Sequence, residues 1–337
     1  MAFLSDKAME RLRNLEIAPD FSGTRYRLVR FVARGGMGAV YLAEDQTLLR
    51  RVAIKVLDAV DLEGPCADRL GREARILAEL EHPGIVPVHD LGRLADGRVF
   101  YAMKFVEGAR LDQFLAGLPS LTERLRLFLR ISDAVAFAHS RGILHRDLKP
   151  ANVMVGAFGE VLVMDWGLGK VLPRAGVESP SVLPVSAGEV RSGGDLARLG
   201  GKTQDGFVVG TPGFMSPEQA AGNASELDQR SDVFSLGKLL QFVVESPFGD
   251  GSAGFGLSRP LRAICEKAAS PDRALRYPAV SELSQDISRY LDGAPVSAYR
   301  ENWGERLLRF YRRYQPAILL IAAYLLMRAL FVIYSRH

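Results

Sequence analysis

The spacing of apolar residues changes along the chain and divides it into elements. Residues 26–32 (YRLVRFV) are dominated by β-branched and aromatic side chains and predict a strand, with a second strand signal at 40–43. Between them runs Ala33-Arg34-Gly35-Gly36-Met37-Gly38-Ala39-Val40, whose glycines allow a tight hairpin with an unobstructed backbone. Val52-Ala53-Ile54-Lys55 predicts a strand ending in a lysine, and residues 100–106 (FYAMKFV) predict a buried strand. The period between these two is helical. Leu70, Ala74, Leu77 and Leu80 form one apolar face of a helix over 67–80, with Glu73 beside that face. A longer helix is predicted over 121–140, where Leu125, Phe128, Leu129, Ser132, Val135, Ala136 and His139 recur at helical spacing. Residues 171–209 are rich in Gly, Ser, Pro and Val and follow no period, the composition of a mobile loop.

The end of the chain has its own pattern. In residues 300–314 Arg306, Arg309, Arg312 and Arg313 are interleaved with Leu307, Leu308, Phe310 and Tyr311. Residues 317–334 (AILLIAAYLLMRALFVIY) are almost wholly apolar and about long enough to cross a bilayer. Arginines before that segment and aromatics at its edges predict a single-pass anchor that keeps residues 1–315 cytoplasmic. Arg328 opposes this reading, because a central charge costs ~2.5–3.5 kcal/mol, although it lies toward the far end and can snorkel. The alternatives are a helix packed on the rest of the chain, which would be cytoplasmic and soluble, or a helix at a homodimer interface.

Composition narrows the class. The 337 residues, 48% of them hydrophobic, suffice for one catalytic unit with extensions. A net charge of +4, with acids and bases mixed, excludes a nucleic-acid surface. Cys66 and Cys265 provide no disulfide framework and fit a reducing cytosol. The N-terminus lacks the basic-then-apolar pattern of a signal peptide, since Asp6 and Lys7 follow Met1 to Leu4 at once. No internal repeat and no zinc-like spacing is found, so His82, His89 and His139 read as packing residues.

The chemistry is concentrated in His145-Arg146-Asp147-Leu148-Lys149-Pro150-Ala151-Asn152, followed thirteen residues after Asn152 by Asp165-Trp166-Gly167. A carboxylate near an attacking hydroxyl, a cation near a moving phosphate and oxygen ligands for magnesium are what phosphoryl transfer from ATP requires. Further on come Gly210-Thr211-Pro212-Gly213-Phe214-Met215-Ser216-Pro217-Glu218, Asp232-Val233-Phe234-Ser235-Leu236-Gly237 and Arg276-Tyr277.

Taken in order, these strings resemble the eukaryotic-like (Hanks-type) serine/threonine protein kinases of bacteria. The resemblance implies an α+β, two-lobed kinase fold, with a small β-rich N-lobe and a larger helical C-lobe, followed here by a C-terminal apolar helix. It implies an N-terminal extension over 1–24 and a kinase domain over 25–293. Within that domain the N-lobe would cover 25–107 and the C-lobe 108–293, with a flexible insert at 171–209. A basic juxtamembrane segment over 294–315 and a transmembrane helix over 316–334 would follow. Similar kinases often continue past such a helix into an extracellular sensor, and no such part is expected here.

The resemblance also assigns roles. Asp147 would be the base and Lys149 would stabilise the transferring phosphate, a lysine typical of serine/threonine specificity. Asn152 and Asp165 would hold Mg2+. ATP would be bound by Ala33, Arg34, Gly35, Gly36, Met37, Gly38, Val40, Ala53, Lys55, Glu73, Met103 and Val106. Among these, Lys55 would pair with Glu73, and Met103 would be the gatekeeper. Ala33 stands where relatives carry the first loop glycine, Lys104 where they carry Glu, Trp166 where they carry Phe, and Phe234 where they carry Trp. Leu77, His145 and Trp166 would form the stack that joins the lobes. Glu218, if internal, would pair with Arg276 and Asp232 would brace the catalytic loop. Arg146 would receive a phosphorylated residue of the activation segment, Thr203 first by position, with Ser179, Ser181, Ser186 and Ser192 behind it. The partners implied are protein substrates with Ser or Thr acceptors, the chain itself in autophosphorylation, and membrane lipid. Two other readings are an inactive ATP-binding scaffold and a small-molecule phosphotransferase, the latter disfavoured by Lys149 and the segment around Thr211.

Overall fold

The computed structural model of the chain describes residues 19–35, 38–57, 65–118, 120–166, 170–171, 213–222, 226–247 and 256–334. The first strand signals form an antiparallel sheet. β1 (Tyr26–Gly35), β2 (Gly38–Asp45), β3 (Arg50–Leu57), β4 (Val88–Arg93) and β5 (Val99–Lys104) pair in the order β1-β2-β3-β5-β4. β1 continues beyond the predicted strand, because pairing with β2 holds through Ala33↔Val40 and Arg34↔Ala39 to Gly35↔Gly38. Ala33 therefore lies in an exposed strand and is not among the residues with positive φ, so a methyl group meets no backbone objection there.

The predicted first helix is α1 (Pro65–Glu79). Leu70, Ala74, Leu77 and Leu80 are all buried at 2% exposure or less, the stripe that the period of the sequence requires. In this N-lobe, Gly38 is needed for a packing reason. A Cβ added there would lie 2.1 Å from the carbonyl oxygen of Val56 on β3.

Past β5 the chain becomes mainly helical. A short strand β6 (Gly108–Arg110) and helix α2 (Leu111–Phe114) lead to α3 (Leu121–Ser140), whose bounds agree with those predicted. The side chain of Ser120 caps α3 by accepting from the Glu123 N–H. Its buried face includes Leu125, Phe128, Val135 and His139, as the sequence indicated. Arg124 is also fully buried, and its guanidinium donates to the carbonyls of Leu115, Leu118, Val243 and Ser246. After α3 come β7 (Ile143–Leu144), β8 (Val153–Gly156), β9 (Val161–Val163) and β10 (Lys170–Val171). β8 lies between β6 and β9, and β7 pairs with β10. α4 (Pro217–Ala220), α5 (Gln229–Glu245), α6 (Arg259–Ala268) and α7 (Val280–Leu291) complete the C-lobe.

The last element is α8 (Trp303–Tyr334), a single helix of 32 residues that contains the apolar segment and its basic approach. Residues 319–328 are all exposed, so this stretch packs on no other part of the chain. Among the described residues no helix is long and apolar enough to cross a membrane. The transmembrane helix predicted over 316–334 is not supported. The stretch 171–209, Thr203 and Thr211 lie outside the described residues, apart from Val171 in β10.

Candidate active site

Strand register builds the N-lobe side of the site. Val40 on β2 faces Lys55 on β3, and Ala53, two residues before Lys55, faces Met103 on β5. Side chains two apart share a face, so Val40, Ala53, Lys55 and Met103 are presented together. Val106 is buried just beyond β5. Lys55 Nζ donates to Glu73 Oε1 at 2.7 Å and to Oε2 at 3.0 Å. It also lies 3.2 Å from Asp165 Oδ1, a contact that crosses from the N-lobe sheet to the C-lobe. Burial disfavours the charge on Lys55, but the attraction of Glu73 and then Asp165 outweighs it and raises its pKa above that of an ordinary lysine. The same contact lowers the pKa of Asp165, since the charge of Lys55 overcomes the cost of burial.

The C-lobe supplies the other half. Asp147 Oδ2 accepts from Lys149 Nζ at 2.7 Å and from Asn152 Nδ2 at 3.0 Å. Asn152 Nδ2 also donates to the Asp147 carbonyl at 2.8 Å, so of the Asn152 amide only Oδ1 could ligate a metal. The β8–β9 hairpin brings Asn152 and Asp165 together. Val153 pairs with Val163, and one step outward the Met164 N–H donates to the Asn152 carbonyl. Among the described residues no group of three His, Cys, Asp or Glu side chains could hold a metal. The sparse oxygen pair of Asn152 and Asp165 still fits magnesium, which keeps waters and phosphate oxygens among its ligands.

Two non-glycine residues here have left-handed backbones, Arg146 at φ 70° and Asp165 at φ 58°. Each costs about 1–2 kcal/mol, so surrounding bonds must hold them. Asp232, fully buried, accepts from the His145 N–H at 2.8 Å, the Arg146 N–H at 2.9 Å and His139 Nε2 at 2.7 Å. Burial opposes its charge, but these donors, His139 foremost, lower its pKa. Gln219 Nε2 donates to the Arg146 carbonyl at 2.8 Å.

His145 is structural. Its Nε2 donates to the Met164 carbonyl at 2.9 Å, and its Nδ1 accepts from the Asp147 N–H at 3.2 Å. Its ring lies 4.6 Å from that of Trp166, which is fully buried in the same core cluster as Leu77. The indole NH donates to the Val163 carbonyl at 3.3 Å, a bond phenylalanine could not make. Glu218 and Arg276 form a buried two-pronged pair at 2.7 and 2.9 Å, and Ser231 donates to the same carboxylate at 2.7 Å. Phe234 lies under the Arg276 guanidinium, 4.9 Å from it.

The structure therefore gathers Lys55, Glu73, Asp147, Lys149, Asn152 and Asp165, with Val40, Ala53 and Met103 on one sheet face. Ala33, Arg34, Gly35 and Gly38 border the hairpin, whose turn residues Gly36 and Met37 lie outside the described residues. Sequence reasoning missed Tyr101, Ser231 and Gln219. Their partners lie 28, 13 and 73 positions away, distances at which no local pattern operates.

A protein-family profile described as "Protein kinase domain" matches residues 26–289. The chain is 35% identical over 318 residues to the serine/threonine-protein kinase PknD of Protochlamydia amoebophila, covering 83% of this chain and 31% of that protein. It is 32% identical over 332 residues to PknD of Chlamydia trachomatis serovar D, covering 88% and 34%. The chain thus spans about a third of the length of these curated relatives. Among solved structures, the PknI kinase domain of Mycobacterium tuberculosis superposes with a TM-score of 0.54 at 24% identity, covering 81% of this chain and 99% of that one, a likeness of fold. With a family match over most of its length and a lysine–glutamate pair facing an aspartate-bearing loop across two lobes, the chain belongs to the protein kinase domain family.

Proposed function

We propose that this chain is an ATP-dependent serine/threonine protein kinase that transfers the γ-phosphoryl group to Ser or Thr hydroxyls of proteins. One observation carries the reading: Lys55, held by Glu73, meets Asp165 beside the Asp147–Lys149–Asn152 cluster. Magnesium-ATP would supply the phosphoryl group and neutralise its charge. Lys55 would hold phosphate oxygens, Asn152 and Asp165 the metal, and the β1–β2 hairpin backbone would cover the phosphates. Val40, Ala53, Met103 and Val106 would wall the adenine. Asp147 orients the acceptor hydroxyl and takes its proton, and Lys149 places a positive charge beside the same point. The serine/threonine class is supported by Lys149 and by the relatives named above.

The test is incubation of the full chain with magnesium-ATP and casein, beside Asp147→Asn, followed by peptide mapping. The expected outcome is phosphoserine or phosphothreonine in the wild type and a loss of at least ~100-fold in the variant. Equal incorporation in both would end the reading. Mapping also examines autophosphorylation, expected first at Thr203, with phosphate drawn to the Arg146 region.

We further propose that α8 holds the kinase domain at the inner face of a bacterial cell membrane. Leu319, Leu320, Ile321, Leu325, Leu326 and Met327 are all exposed, and an isolated helix with apolar residues on every side needs lipid or another helix around it. The arginines of 306–313 favour an anionic surface beside it.

A further inference from the structure

Glu73 is 1% exposed, so its carboxylate depends on the donors the protein brings to it. Lys55 is one. The other comes from Tyr101, itself 2% exposed, whose hydroxyl donates to Glu73 Oε1 at 2.8 Å. Register explains the meeting. Lys55 on β3 and Tyr101 on β5 are direct cross-strand partners, so both side chains leave the sheet on the face that α1 covers. The Lys55 ammonium lies 5.9 Å from the centre of the Tyr101 ring. Burial, and then the Glu73 carboxylate, raise the pKa of the phenol well above its ordinary value, so the hydroxyl remains a donor at any working pH.

We infer that Tyr101 is a positioning residue of the phosphoryl-transfer site: its hydroxyl latches Glu73, and with it α1, in the orientation that meets Lys55. The inference rests on the kinase reading of Lys55 and Glu73. The reason is a competition for donors. Lys55 has three N–H groups, and its contacts here are the two oxygens of Glu73 and one of Asp165. Phosphate oxygens bound by Lys55 compete with Glu73 for those groups. The single O–H of Tyr101 is committed to Glu73 and takes no part in that competition. It leaves the carboxylate a donor when Lys55 turns toward substrate. Without it, a carboxylate this deeply buried is driven toward water, and α1 has to swing to let it out.

Tyr101→Phe keeps the ring and removes only the hydroxyl. The full chain would be compared as wild type, Tyr101→Phe, Glu73→Gln and the double variant, by kcat and KM for magnesium-ATP with casein and by hydrogen exchange of the α1 amides. The expected result for Tyr101→Phe is a fall of about tenfold in kcat/KM, the weight of one hydrogen bond to a charged group. The α1 amides should exchange faster while Tm shifts by no more than a few degrees. In the Glu73→Gln background the same change should have no further effect, read by exchange where turnover is too low. Wild-type rate and exchange in Tyr101→Phe, or an undiminished effect without Glu73, would overturn the inference. Wild-type transfer that is lost in Asp147→Asn judges the kinase reading separately. If the wild type transfers no phosphate, the exchange comparison still judges the latch.

Discussion

Glu218 shows how much a single residue depends on its partners here. Alone, a carboxylate at 7% exposure would be costly. Burial does push its pKa upward, but the bonds from Arg276 outweigh this and bring it to about 2, from an ordinary 4.5. The sign follows from linkage. The unfolded carboxyl binds its proton near pH 4.5 and the folded one only near 2, so the pair's stabilisation is complete above 4.5 and lost as pH falls toward 2. The loss is on the order of 3 kcal/mol. Thermal unfolding between pH 7 and pH 3 should show Tm dropping in the wild type. Glu218→Gln should lower Tm at pH 7 by an amount corresponding to ~3–5 kcal/mol, because Arg276 is left buried without a counter-charge, with only the carbonyls of Ser270, Arg230 and Pro271 to accept from it, and should flatten that acid limb. The pair was legible in the sequence, since a buried acid needs a base and Arg276-Tyr277 supplied one in the family's place. The Ser231 hydroxyl on the same carboxylate was not, because a serine in a helix carries no mark of its partner.

Among the elements, the β2–β3 pair is the most sensitive. Gly38 is pressed against the backbone of β3, and two residues on Val40 faces Lys55. Gly38→Ala would put a methyl 2.1 Å from the Val56 carbonyl, and an atom of backbone cannot rotate aside. The strands must splay, which moves Lys55 from Glu73. A loss of ~2 kcal/mol or more of stability and weaker binding of a fluorescent ATP analogue are expected, checked by thermal unfolding and by titration. Ala33→Gly, on an exposed stretch of β1, should leave both within error. Glycines in this hairpin were read from the sequence as room for phosphates. The structure adds that Gly38 is room for a neighbouring strand. The loop over 145–152 makes the same point, since Asp232 and Gln219, from α5 and α4, bond the backbone of left-handed Arg146 on both sides.

At the scale of the whole molecule, the Lys55–Asp165 contact ties the two lobes, and α8 extends from the C-lobe with its described apolar residues in the open. The start of α8 is anchored: Glu305 accepts from Tyr299 and from the Asn302 N–H, and Asp286 gathers Tyr277, Ser297 and the Ala298 N–H. If lipid surrounds α8, the full chain should float with anionic vesicles and remain there in high salt, since apolar burial is not screened. Replacing Leu320 and Leu325 with Glu should release it. Cross-linking without flotation would instead assign the helix to a homodimer.

Much of this protein was decided by its sequence alone. Period placed α1, α3, β1, β2, β3 and β5 within a few residues, because burying one face demands a fixed spacing, whereas β4 was not read from it. The order of the motifs singled out Lys55, Glu73, Asp147, Lys149, Asn152 and Asp165, side chains that the fold brings near one another. Tertiary structure decided what local spacing cannot carry. It brought Tyr101 to Glu73 through strand register, set Asn152 beside Met164 through a hairpin, and stabilised left-handed Arg146 through Asp232. Each of these joins atoms from separate elements. Hydrogen bonds depend on position to within a fraction of an ångström, and only the packed fold defines that position.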